Sequence, residues 1–302
     1  MLLHRFPDFQ PLQLHHRADV ELALSRTSAY LPPSDFHPTS LLVWGGSAAG
    51  IAKLEHGIVV RLPAYIHGRS DVLTWLAPHT SHDELDALTK FAVTEGLSLE
   101  LLPEATAAGL PAKTVVLLDT PGHSDYIYET TETATLVGNE WRKKRRDLER
   151  FIGGAGRSAR TGLMDLANPK HRNECRQLFV EWMSHKGGKA ANANEWQAFE
   201  RFSQIAYSLN LTTIGVWLNG ALSAFSIGES FGPSGATFHF EKAMPGVAGL
   251  TTHLRTTLCR ELAKNGADWI NGQQDLGVPG LKHSKRSWQP TTMLQKFSLP
   301  NH

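Results

Sequence analysis

A chain of 302 residues suffices for about two domains of ordinary size, and 41% hydrophobic with 9% aromatic residues is enough apolar material for real cores, which excludes a disordered chain or a coiled coil. Thirty Lys and Arg face 29 Asp and Glu, so the formal net charge is only +1 and a polyanionic partner must be met by a local patch. Two cysteines, Cys175 and Cys259, exclude a disulfide framework and a Cys-based metal site, and the longest aliphatic run, Val115 to Leu118, falls far short of the ~18 apolar residues that cross a bilayer.

Taken in chain order, apolar periodicity predicts a helix at residues 18–31 and short strands at 41–44, 57–62 and 72–76. A helix over 82–95 follows Ser81, a capping residue, with Asp83 and Glu84 at the positive end of its dipole. A strand at 114–119 and the turn-rich 120–125 close a first domain, residues 1–125. The second, 126–302, opens with a helix over 131–152 that stops at Gly153, Gly154 and Gly156. Helices at 171–185 and 194–208 come next, the latter with Trp196, Phe199, Phe202 and Ile205 at core spacing. Asn219-Gly220, a pair that tolerates positive φ at both positions, joins strands 211–218 and 221–227 into a hairpin. A third strand at 235–242, a helix at 250–264 with a stripe of Leu250, Leu254, Leu258 and Leu262, and a strand at 267–271 complete an α+β pattern with a mixed sheet.

Three segments carry polar groups suited to chemistry. In Trp141 to Arg150, six cations (Arg142, Lys143, Lys144, Arg145, Arg146, Arg150) against Asp147 and Glu149 leave a local charge of +4. That is either a solvated helix face or a surface for phosphate backbones, where each neutralised phosphate releases counterions. In Phe238 to Gly249, a strand runs through glycines into a helix start, which aims backbone N–H groups at an anion. Gly246 and Ala248 fit the spacing of the pyrophosphate loop of GNAT acyltransferases, but its Arg or Gln position holds Ala243, which argues against coenzyme A; a plain turn explains the glycines equally well. In Ile270 to Trp288, Asp275, Lys282, Lys285 and Arg286 sit among three glycines beyond a buried strand. Fifteen histidines form no H-E-x-x-H or Cys/His cluster, so no metal is expected, and no Walker A, Rossmann or G-x-S-x-G pattern is present. The start, MLLHRFPDF, lacks the apolar stretch of a secretory signal, and a cytoplasmic location is expected.

Together these blocks resemble one family. DYIY at Asp125 to Tyr128, LVGNEWRKKRRDLERF at Leu136 to Phe151, IGE at Ile227 to Glu229, HFEKA at His239 to Ala243 and INGQQDLGVPGLKHSKRSWQP at Ile270 to Pro290 are similar, in the same order, to the phosphatidylglycerol lysyltransferase C-terminal-domain family. The family's Asn-Arg-Glu before Asp-Leu-Gly reads Asn271-Gly272-Gln273 here, and its Asn after the Lys-Arg pair reads Arg146. The resemblance implies two tandem GNAT-like domains, each a mixed sheet flanked by helices, that move an amino acid from aminoacyl-tRNA to an acceptor without a cofactor. It assigns tRNA phosphates to Arg142, Lys143, Lys144, Arg145, Arg146 and Arg150, a base or positioning role to His239, charge stabilisation to Lys285, and the donor's ammonium to Asp275 and Glu229. Glu241, Lys242 and Lys282 are further expected substrate contacts. The alternatives are an acyl-CoA-dependent N-acyltransferase and a non-catalytic polyanion-binding module. The acceptor, a small molecule, peptide or lipid headgroup, stays open.

Overall fold

The computed structural model describes residues 3–27, 33–64, 70–111, 118–119, 121–187 and 193–300. The chain forms two compact units, one of Met1–Tyr126, Gln273–His283 and Met293–His302, the other of Ile127–Gly272 and Ser284–Thr292. The chain passes from the first unit to the second between Tyr126 and Ile127. The second unit does not run on to residue 302, because two late segments return to the first. Among the described residues no helix is long and apolar enough to cross a membrane.

The first unit holds a five-stranded sheet in the order Gln10–Pro11, Gly50–Lys53, Ile58–Leu62, Val72–Leu76, Ser98–Leu99. Its pairs are antiparallel except the last, which is parallel because the helix His82–Glu95 connects those two strands. Ser81 caps that helix as expected, accepting the Glu84 N–H at 3.2 Å. Leu85, Leu88 and Ala92 press from the helix onto Ala52, Val59, Leu73 and Trp75 of the sheet, and Leu102 and Leu299 close this core. Residues 41–44, expected as a strand, lie instead in the helix Pro38–Gly45. The run is apolar at every position and so has no helical period; Pro38 in the first turn and Gly46 at φ +56 after the last are its punctuation. Residues 28–31 and 114–117 of two expected elements fall outside the described residues, and Leu118–Asp119 is a strand.

The second unit is organised by a seven-stranded sheet in the order Thr292–Leu294, Asp125–Glu129, Trp269–Asn271, Gly235–Ala243, Ala221–Phe231, Leu211–Leu218, Arg160–Leu163. Asn219 and Gly220 take φ of +51 and +82, the two positive values that let the expected hairpin close tightly. The helix Leu250–Lys264 returns the chain so that Gly235–Ala243 and Trp269–Asn271 run parallel. Its leucine stripe packs on Ile214, Val216, Ala224, Ala236 and Phe238. Gly228 lets it approach, since a Cβ there would meet Leu262 at 3.0 Å. The helices Pro169–His185 and Ala193–Ile205 supply an aromatic second core in which Phe199 lies 5.3 Å from Phe240 and 5.1 Å from Phe179. Both cysteines are buried; burial pushes both thiols up, Cys259 to about 12, so neither is a nucleophile at neutral pH.

The helix expected over 131–152 is two helices, Thr130–Thr135 and Arg142–Gly153. Leu136 at φ +56 and Gly138 at φ +112 break it, and the Arg145 guanidinium donates to the carbonyls of both, satisfying groups that a continuous helix would have bonded internally.

Candidate active site

The central strands of the second unit place a buried acid beside a buried imidazole. Along Ala221–Phe231 and Gly235–Ala243, Gly228 pairs with Phe238 and Ile227 with Phe240, so His239 is an inserted residue. Such a bulge re-aims the side chains around it. It sends Phe238 to the face covered by Leu250–Lys264 and Phe240 to the aromatic core, faces that strict alternation would never give to residues two apart. His239 Nε2 lies 2.8 Å from Glu229 Oε2, with both side chains within 1% of full burial. An ionised Glu229 accepts only, so the network assigns the proton to Nε2 and leaves the basic lone pair of the neutral ring on Nδ1.

The rest of HFEKA is committed within the unit. Glu241 is gripped by Arg255, with Nη2 to Oε1 at 2.8 Å and Nε to Oε2 at 3.1 Å, and Ser226 Oγ stands 3.5 Å away. Burial opposes the Arg255 charge, but Glu241 outweighs it and holds the guanidinium pKa above its ordinary value. Lys242, pointing the other way, bonds Glu195 at 2.6 Å and stands over the rings of Trp182 and Phe179 at 4.2 and 4.8 Å. Both residues were expected to touch substrate; both have their charges met by this chain.

The six cations on Arg142–Gly153 divide by direction. Arg142, Lys143, Arg146 and Arg150 are exposed and, at steps of three to four residues, share one face. Arg145 turns inward to the carbonyls named above, and Lys144 stands over the Trp288 ring at 4.2 Å. Burial, and then Arg255, bring the Lys144 pKa down to about 8. Four of the six cations therefore lie on an exposed face.

Within 271–288 the chain forms the helix Pro279–Arg286. Lys285 is half-buried; its ammonium donates to the Gly272 carbonyl, and its own carbonyl accepts the Tyr128 hydroxyl at 3.0 Å. Lys282 is exposed. Asp275 belongs to the first unit, whereas Lys285, Glu229 and His239 belong to the second. Its oxygens accept the Tyr126 hydroxyl at 2.6 Å and the Gly277 N–H at 2.8 Å, so this buried carboxylate sets a turn. The glycine loop is also a packing point: Gly249 has φ +74, and a Cβ there would lie 1.9 Å from the Asp147 carbonyl oxygen of the basic helix.

The sequence reading missed a buried network in the first unit. Lys296 contacts Asp35, bonds Asp125 at 2.7 Å and Ser34 Oγ at 3.1 Å, while Ser34 donates its N–H and hydroxyl to Asp125 at 2.6 and 2.7 Å. Separations of 91 to 262 residues leave no local signal for it. Arg255 was also missed, although a cation beside the leucine stripe of an amphipathic helix was its visible trace.

Comparison with known proteins places this geometry. The family model described as phosphatidylglycerol lysyltransferase, C-terminal, matches residues 80–299. The chain belongs to this family. A conserved protein of unknown function from Bacteroides thetaiotaomicron superposes with a TM-score of 0.82 at 21% identity, covering 96% of this chain and 98% of that one. The C-terminal domain of a putative lysylphosphatidylglycerol synthetase from Agrobacterium fabrum gives 0.64 at 14% identity, covering 94% and 92%. A tandem GNAT protein from the clavulanic acid biosynthesis pathway gives 0.54 at 12%, covering 96% and 97%. A search of curated proteins returned no match. Family membership and these superpositions establish the α+β, tandem GNAT-like fold, in which each unit repeats antiparallel strands, a helix and a closing parallel strand.

Proposed function

We propose that this family member is an aminoacyl-tRNA-dependent aminoacyltransferase. The observation that carries the reading is the coexistence, in one unit, of the exposed face of Arg142, Lys143, Arg146 and Arg150 with the buried Glu229–His239 pair. A face of four cations suits a nucleic-acid backbone, and an oriented imidazole suits proton transfer during acyl transfer. Membership in a family described as a lysyltransferase supports an aminoacyl group as the cargo.

The donor ester is already activated, so positioning and proton handling suffice. The acceptor's amine or hydroxyl attacks the ester carbonyl carbon, and its proton passes to His239. The ribose oxygen then leaves, taking a proton to become a hydroxyl. Glu229 stabilises the intervening imidazolium, and Lys285, anchored through the Gly272 carbonyl, is assigned to the developing oxyanion. The Gly246–Gly249 loop lacks the Arg or Gln of a pyrophosphate loop, which disfavours the acyl-CoA alternative.

Sequencing the RNA that copurifies with the protein tests the donor. Enrichment over the lysate of tRNA for one amino acid, still esterified with it, is the expected result; RNA of lysate composition, or none, contradicts the proposal.

A further inference from the structure

The strand that carries His239 also carries a hydroxyl that the chemistry above leaves unused. Glu229 pairs across the ladder with Thr237, and Thr237 pairs on its other side with Asn271. Partners in register share a face of the sheet and stand about 5 Å apart at Cβ. The chain neighbours of these residues fix which face it is: Ala236, Phe238 and Ile270 pack with the leucines of Leu250–Lys264, and Gly228 faces Leu262. Glu229, Thr237 and Asn271 therefore turn to the opposite face, where Phe202 lies 5.4 Å from the His239 ring. All three are fully buried. His239 Nε2 and Glu229 Oε2 satisfy each other, but the Thr237 hydroxyl has no hydrogen-bond partner among the described residues. A valine of the same shape would serve the strand without a buried polar atom to satisfy, so the fold alone does not account for the hydroxyl.

We infer that Thr237 is a further substrate-binding residue of the Glu229–His239 site and that, between Glu229 and Asn271, it makes a subsite for a primary ammonium group. The chemistry of the row selects that class. A carboxylate, a hydroxyl and a carboxamide offer three oxygen acceptors side by side, and an ammonium carries three N–H donors and no acceptor. The row's neighbours on either side, Leu211 and Ile127, are apolar, and an anion would be set against the buried Glu229 carboxylate. A hydrogen bond to a charged group in such a closed setting weighs more than one in water. Two molecules in aminoacyl transfer bring this group, the donor through its α-amino nitrogen and an acceptor through an attacking amine. Those two sources rest on the function proposed above; the subsite itself does not.

Nitrogen-15 NMR of protein labelled in histidine reads the site through the His239 ring, its signals assigned by their loss in His239→Gln. Methylammonium, the bare group, is expected to shift them, and tetramethylammonium, equally charged but without N–H donors, is not. An L-amino acid amide that acts at lower concentration than methylammonium, its N-acetyl derivative being inert, identifies the donor as the source; amides that act no better than methylammonium identify the acceptor. Thr237→Val is expected to weaken the tightest of these probes about 10- to 100-fold, the loss of one hydrogen bond to a charged group, and to melt no lower than wild type. Thr237→Ser, which keeps the hydroxyl, is expected to bind close to wild type. No tRNA enters this test, so a response in protein that copurifies with no charged tRNA would sink the donor proposed above and leave the subsite standing. A His239 ring that ignores every probe, a Thr237→Val variant that binds as wild type does, or a Thr237→Ser variant that binds as poorly as Thr237→Val overturns the inference.

Discussion

Glu229 and His239 meet because one extra residue enters a strand, and the same insertion lets Phe238 and Phe240 fill opposite cores. Replacing His239 by Gln removes the proton acceptor while keeping a polar side chain. Transfer is expected to fall by about 100- to 10,000-fold. Glu229→Gln is expected to give a smaller loss in the same direction, because the imidazole remains but its cation is no longer stabilised. Single-turnover rates across pH, measured beside thermal melts, check this; unchanged rates in both variants would remove the pair from the chemistry. At Lys296, burial pulls the ammonium pKa down, but Asp125 and Asp35 pull harder and hold it raised. The stabilisation from that pairing is therefore fully present below the ordinary lysine value of about 10.4 and is lost only as pH rises through the higher folded value. Lys296→Met leaves two buried carboxylates without their cation and is expected to cost about 3–5 kcal/mol in urea denaturation, part of it recovered when Asp35→Asn and Asp125→Asn are added. A cost below about 1 kcal/mol would show that the network contributes little.

The basic helix Arg142–Gly153 works through direction as much as through charge. Replacing Arg142, Lys143, Arg146 and Arg150 by Gln is expected to flatten the salt dependence of tRNA binding by about 0.9 logarithmic units for each phosphate that is no longer neutralised, with little change in stability. Arg145→Gln is expected to act the other way: it unlatches the carbonyls of Leu136 and Gly138, lowering the melting temperature with no change in salt slope. Identical salt slopes in wild type and the fourfold variant would return the face to solvent. Gly249→Ala forces a Cβ toward the Asp147 carbonyl at positive φ, and a cost of about 1–3 kcal/mol is expected in denaturation. The C-terminal end of this helix and both ends of 82–95 and 250–264 were legible from caps, glycines and apolar period. The break at Leu136 was not, because a leucine at positive φ carries no composition signal. Likewise 41–44 read as a strand because four consecutive apolar residues carry no period that separates helix from strand.

For the whole molecule, the tandem organisation was visible as two runs of strands followed by a helix, and the structure gives each run its closing parallel strand. The route of the C-terminal stretch was not visible, since segments 273–283 and 293–302 join the first unit through pairs such as Tyr126–Asp275 and Lys296–Asp125 that are remote in sequence. Site residues were legible by type but not by commitment. Glu241, Lys242 and Asp275 look like chemistry in the sequence, and each is held by a partner that only folding supplies. At this scale the two acyl donors separate cleanly. Acetyl-CoA is expected to leave the melting temperature unchanged, because Ala243 stands where the loop that would hold its pyrophosphate needs Arg or Gln; a rise that grows with ligand concentration would favour the acyl-CoA reading. The most direct measurement follows radiolabelled amino acid from a fully charged tRNA pool in an RNA-depleted cell extract that supplies acceptors. Wild-type protein is predicted to move label from tRNA into a product resistant to ribonuclease, and His239→Gln to leave it esterified. Label that stays on tRNA with wild-type protein, while acetyl groups from acetyl-CoA reach an acceptor, would contradict the account.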